Sequence, residues 1–221
     1  MNDSRSAHVI GSSVPKIDSL SLACGVCRFT MDFELRHPLF VAFAYSPYPH
    51  ADIVSIDTED ATAMPGVIDI LSYRNAPDRL HTTAGQGYPE PSPYDTRLFP
   101  KRVLCVGDRV AAVAAESREI AENAVKKLKI EYSQRNPLFD PEQAGEPESP
   151  KLHADDGSYA PLPVPYRPDE NLVGEVLFSF GDCENGFSEA DFVDECTYHT
   201  QYVQHCAMEP HAASASFDES G

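Results

Sequence analysis

Basic residues are scarce in this chain of 221 residues: 17 Lys and Arg stand against 35 Asp and Glu, giving a formal net charge of -18. Such a balance repels phosphate backbones and anionic lipid head groups, which excludes nucleic acid and membrane surfaces as natural partners. Long apolar runs are missing as well. The longest, Pro38 to Tyr45, falls far short of the ~20 residues that a spanning helix needs. The first residues have neither a basic start nor an apolar stretch to follow it, so they do not read as a secretory signal, and the expected location is the cytoplasm. Tryptophan is absent and cysteine is sparse. The six cysteines, irregularly spaced, do not form a disulfide framework, and in a reducing compartment all six are expected as thiols.

What is present is a 42% hydrophobic content, enough for a real core. Residues 1–26 show no period and read as an arm. Strand-length apolar stretches follow at "VCRFTMDF", "PLFVAFAYSP", "ADIVSID" and "VIDILSY". Between the last two, Thr58 is placed to cap one or two helical turns that Pro65-Gly66 ends. The order expected is β-β-β-α-β. Residues 75–100 are rich in proline and aperiodic, a loop of a length that is usually functional or disordered.

"RVLCVG" and "VAAVAAE" read as two strands around a tight turn. Ser117 then caps a helix whose apolar stripe is Ile120, Ala121, Ala124, Val125 and Leu128, with Glu122 and Lys126 paired on the opposite face. "KIEY" returns to strand. The succession suggests a crossover unit: an α+β domain with a mixed sheet and helices on one face.

From Asn136 to Asp169, eight prolines and many acidic residues read as an extended linker. Beyond it come a strand at "LVGEVLFSFGD", a short helix capped by Asp182, a long strand at "FVDECTYHTQYV" and a closing strand at "ASASFD". These elements are too few to bury a core of their own, so this second unit is expected to be incomplete.

Two clusters carry ligand-competent side chains. Cys24 and Cys27 form C-x-x-C, but with neither a helix start nor a second ligand pair they read as ordinary cysteines. His205, Cys206, Glu209 and His211 lie within seven residues. Here Pro210 drives Glu209 out of the helical region that would gather them, which argues against a metal site. No Walker, H-E-x-x-H or G-x-S-x-G pattern occurs, and "AGQG" is too short to mean a phosphate loop. Two further readings stay open on the residues alone: a stand-alone interaction or assembly module, and a small Cys/His metal or redox protein.

An ordered series of stretches resembles one family. "GSSVPKIDSLSLACG" with "CRFTMDFELRHPLFVAFAYSPYPHADIVSIDTEDATAMPGVIDIL", then "FPKRVLCVGDRVAAVAAESREIAENAVKKLKIEY", is similar to the opening a/b hammerhead domain of the molybdenum-binding subunit in the xanthine dehydrogenase and aldehyde oxidase family. "GDCENGFSEADFVDECTYHTQYVQHCAMEPHAASASFD" resembles the start of the molybdopterin-binding domain that follows it. The resemblance implies an arm (1–26), a hammerhead domain (27–136), a proline-rich acidic linker (137–169) and the beginning of a cofactor domain (170–221), an amino-terminal piece of a larger enzyme. It also implies oxidative hydroxylation of a purine or aldehyde at molybdenum-molybdopterin, with iron-sulfur clusters and FAD on companion subunits or domains. The "TTAGQGYPEPSPYDTRLFP" region leans toward the purine members. No position matches a family base or cofactor contact, so no catalytic, cofactor-binding or metal residue is assigned, and no cofactor is expected in this chain alone. The "ACGVC" turn departs from the family pattern, so Cys24 and Cys27 are not inherited ligands.

Overall fold

The computed structural model describes residues 10–33, 35–83, 92–161 and 163–217. It divides into two compact units, Pro38–Asp191 and a second formed from the two ends, Met1–His37 with Phe192–Gly221.

The first unit holds six strands: β1 (Phe40–Tyr45), β2 (Ala51–Asp57), β3 (Val67–Ser72), β4 (Arg102–Val103), β5 (Arg109–Ala115) and β6 (Lys129–Gln134). They form two three-stranded sheets, ordered β1-β5-β3 and β4-β2-β6, in which every pairing is antiparallel. The α+β class therefore holds, while the single mixed sheet expected from sequence is replaced by two antiparallel ones. The strands on either side of the capped helix belong to different sheets, so they form no crossover unit. β4 and β5 flank a turn as expected, yet they too part into separate sheets. Asp108 causes this: its Oδ2 accepts from the backbone N–H of Leu104 at 2.6 Å and of Cys105 at 3.1 Å, which turns the chain out of one ladder toward the other.

β5 is the central strand of its sheet and reads as a run of valine and alanine because it is covered widely; Val110, Ala111, Val113 and Ala115 are fully buried. Its alanines leave room for a helix to lie close. That helix, α3 (Arg118–Val125), follows α1 (Ser19–Ala23) and α2 (Glu59–Thr62) in the chain. Ser117 Oγ accepts from the Ile120 N–H at 3.2 Å, the cap read from sequence. Ala121 and Ala124 are fully buried, and Ala124 packs with Val113 and Ala61. On the outer face Lys126 donates to Asn123 Oδ1 at 3.2 Å. At α2 the expected Thr58 cap is not made; Asp57 Oδ1 accepts from the Glu59 N–H instead, at 3.0 Å. A carboxylate one residue earlier meets the orphan donor with the better acceptor.

The second sheet explains why "ADIVSID" alternates imperfectly. A register shift between Ile53 and Ser55 inserts Val54 as an unpaired residue, so Ile53 and Ile56 both point inward although three positions apart. With Ala51 and Val103 they pack on Val110 of β5, giving both sheets a common core. Each fully buried valine in it is worth about 1.5–3 kcal/mol of apolar transfer.

The proline-rich stretch holds α4 (Pro141–Ala144), capped by Asp140 and started by Pro141, and Val164 is buried. Farther on, α5 (Cys183–Glu189) is capped by Asp182, whose Oδ1 accepts from the Asn185 N–H at 3.0 Å, as expected.

In the end unit, "VCRFTMDF" is not a strand: Thr30–Asp32 is a single 3-10 turn, with Asp32 Oδ2 accepting from the Phe29 N–H at 2.9 Å. The arm contains α1, a short helix that its lack of period concealed. Of the three strands expected at 172–182, 192–203 and 213–218, Leu172 alone among the described residues is paired, in an isolated antiparallel bridge with Arg167. Their apolar side chains are exposed, Phe180 at 99%, Tyr202 at 101% and Phe217 at 93%. A ladder needs a second strand for its N–H and C=O groups, and none of the described residues supplies one here.

Candidate functional site

Residues whose chemistry converges in the Pro38–Asp191 unit surround a cleft of about 320 Å³. One wall is built from β2, β4 and the residues around them, with Asp52, Tyr73, Phe99 and Arg102. The other comes from the proline-rich stretch, with Leu152, Asp155 and Asp156.

Asp52 is the hub. Arg102 Nε donates to its Oδ1 at 2.9 Å and Arg135 Nε to its Oδ2 at 2.5 Å. Partial burial works against its charge, but the hydrogen bonds and positive charge of the two guanidiniums prevail and hold the carboxyl below the usual carboxylate range. Arg102 reaches onward to Asp155 at 3.0 Å. Arg97 pairs with Asp78 at 2.6 Å and donates to the Asp156 carbonyl at 2.7 Å. Asp156 in turn faces His153 Nδ1 at 2.6 Å and accepts from the Ser158 N–H at 2.9 Å. Burial opposes its ionisation, and these partners overcome it and lower its pKa. The Tyr166 hydroxyl donates to Ser158 Oγ at 2.7 Å, and burial raises its pKa, with Asp95 and Asp156 adding to the effect.

Nearly every charge on the cleft therefore has a partner in the wall. Such a set holds loops in place; it does not present a nucleophile beside a base or a poised acid. Nothing in the sequence patterns marked it. The one available signal was the doublet Asp155-Asp156 in a stretch read as linker, with Arg97 near the end of the long loop and Arg102 just after it.

The residues singled out by motif are not gathered. Cys24 is exposed, Cys27 partly so, and both are free thiols. His205, Cys206, Glu209 and His211 are exposed, and among the described residues no group of three or more His, Cys, Asp or Glu is placed to hold a metal ion. "AGQG" lies outside the described residues. No helix among them is long and apolar enough to cross a membrane.

Residues 24–136, just over half the chain, match the model for the a/b hammerhead domain of aldehyde oxidase and xanthine dehydrogenase. The chain belongs to that family of oxidoreductases. Residues 166–221 match the molybdopterin cofactor-binding domain, in the order that the resemblance implied. Among curated relatives, a probable hypoxanthine oxidase XdhD of Escherichia coli K12 is 33% identical over 95% of this chain and 24% of its own length. The nicotinate dehydrogenase large molybdopterin subunit of Eubacterium barkeri is 30% identical over 96% of this chain and 45% of its own. Among solved structures, quinoline 2-oxidoreductase from Pseudomonas putida 86 superimposes with a TM-score of 0.54 at 33% identity, covering 63% of this chain and 18% of that one. The chain thus spans 24% to 45% of the length of the curated relatives named here.

Membership raises the question whether these residues can seat molybdopterin. Within the matched 166–221 stretch, every described residue of 180–217 is exposed, and the cleft built by this chain lies between the hammerhead and the proline-rich stretch with nearly all its charges already paired. By themselves the described residues do not fit the cofactor, and no step of a reaction is derived through it.

Proposed function

We propose that this chain is the hammerhead scaffold and the first stretch of the molybdopterin-binding domain of a molybdenum hydroxylase, an enzyme performing oxidative hydroxylation of a purine or an aldehyde. Residues 1–26 form an arm, 27–136 the hammerhead, 137–169 the connecting stretch, and 170–221 the opening of the cofactor domain. The intact enzyme holds molybdenum-molybdopterin, with iron-sulfur and flavin groups on companion subunits or domains, in the cytoplasm. The chain's own residues position and pack; catalytic and cofactor contacts come from outside the 221 residues. The 33% identity to a probable hypoxanthine oxidase favours a purine.

The observation that carries this reading is the contrast within one chain. The hammerhead buries Val103, Val110 and Val113 completely, while residues 172–217 keep strand-like apolar alternation and leave most of it exposed. Exposed alternating faces of this kind are built to be covered by more protein. The test is purification of the tagged chain from its source, with metal analysis and identification of co-purifying polypeptides. A stoichiometric molybdenum assembly that oxidises hypoxanthine or an aldehyde is expected. A molybdenum-free monomer would overturn the proposal.

A further inference from the structure

Within the longer proline-rich stretch, residues 150–160 are organised from within. His153 faces Asp156, Ser158 Oγ donates to the His153 carbonyl at 3.3 Å, and the Ser158 N–H returns to Asp156. Asn171 fastens its base: Nδ2 donates to the carbonyls of Ala144 and Pro150, each at 2.9 Å, and Oδ1 accepts from the Leu152 N–H at 3.0 Å. The left-handed backbone at Asn171, φ +58°, aims the amide there, a conformation that asparagine tolerates better than most residues.

Attachment to the hammerhead is sparse by comparison. Tyr94 and Tyr159 make one isolated antiparallel bridge, at 2.7 and 3.3 Å, with their rings stacked 5.1 Å apart. Arg97 holds the Asp156 carbonyl and Arg102 the Asp155 carboxylate. Not one residue from 150 to 160 is buried, whereas Val103, Val110 and Val113 on the hammerhead are completely so. A loop that is internally bonded, apolar-poor and tied down by a few polar contacts, exposed at Arg102–Asp155 and only partly buried at Arg97–Asp156 and Tyr166–Ser158, belongs to the low-stability end of a fold, where opening occurs without global unfolding.

We propose that residues 150–160 are a latch over the hammerhead cleft: they lift away as one preformed unit, pivoting on the Asn171-bound base, and open the wall that carries Asp52, Tyr73 and Phe99. The Arg102–Asp155 pair is the catch. Asp52 keeps Arg102 in place when the latch is open, so the catch can close again on a guanidinium already positioned.

Native-state hydrogen exchange on the full chain tests this. In the unaltered protein the amides of Leu152 to Tyr159 should exchange by a local route faster than those of Val110 to Ala115. Asp155→Asn should speed exchange in 152–159 about two- to fivefold, the worth of a surface ion pair, and leave β5 unchanged. Asn171→Ala, which frees the pivot, should abolish the correlated behaviour of 152–159 so that its amides exchange individually. The proposal is overturned if 152–159 and β5 exchange at a common rate, or if Asp155→Asn accelerates both equally. Should Asp155→Asn not fold, Arg97→Lys offers the same comparison at the second tie.

Discussion

Arg102 stands opposite Asp52 in the β2–β4 ladder, its Nε 2.9 Å from Oδ1, and Arg135, one residue beyond β6, closes on the other oxygen of the same carboxylate. One aspartate on the central strand thereby ties together both edges of its sheet.

Asp52→Asn should destabilise the hammerhead at neutral pH by about 1 kcal/mol, since both ion pairs are partly exposed. The pH dependence follows from the lowered carboxyl pKa. A depressed native pKa contributes stability that is fully present above the unfolded value of about 4 and is lost as pH falls through the native value. The gap between Asp52→Asn and the unaltered chain should therefore close in acid. Urea titrations at pH 7 and near pH 3 would check it; an equal gap at both would show that the charge is not what matters.

Cys105 is the least reactive thiol expected here. Burial pushes it up to about 11, helped by the hydrogen bond that its Sγ donates to Asp108 Oδ1 at 3.1 Å. At pH 8 about one molecule in a thousand then carries the thiolate that alkylating reagents attack. Cys105 is exposed like Cys24, Cys183 and Cys196, so the disfavoured thiolate rather than access sets the difference: mass-spectrometric timing with iodoacetamide should find it modified well after them, and Asp108→Ala should shorten the delay.

Gly66 sits at φ +86°, and an added Cβ would come within 2.7 Å of Ile120 Cδ1 on α3. Gly66→Ala combines left-handed strain with displacement of the half-buried Ile120 side chain, for a loss of about 1–2 kcal/mol. Ser117→Ala, which removes the α3 cap, should cost about 1 kcal/mol. Denaturant midpoints for the two variants would measure both.

The features legible in the sequence were those whose causes are local. Ser117 and Asp182 cap their helices because a side-chain oxygen meets an N–H three residues on, and both were readable. β1, β2, β3 and β5 announced themselves by apolar content. Sheet membership was not legible: the turn held by Asp108 sends β4 and β5 to different ladders, and only the folded chain reveals which edges they meet. "FVDECTYHTQYV" failed for a related reason. Its period is that of a strand, but period states only which face would be buried, while a strand also requires a neighbour. The cleft was illegible because Asp52, Arg102, Arg135 and Asp155 lie far apart in sequence and carry no motif.

Hydrogen exchange across residues 172–217, compared between the free chain and the chain purified within its molybdenum-containing assembly, tests the central claim most directly. Amides of β5 should be protected in both states, and those of 192–203 and 213–217 protected only in the assembly, where neighbouring strands complete their ladders. Strong protection of 192–203 and 213–217 already in the free chain, or none in either state, would contradict the account.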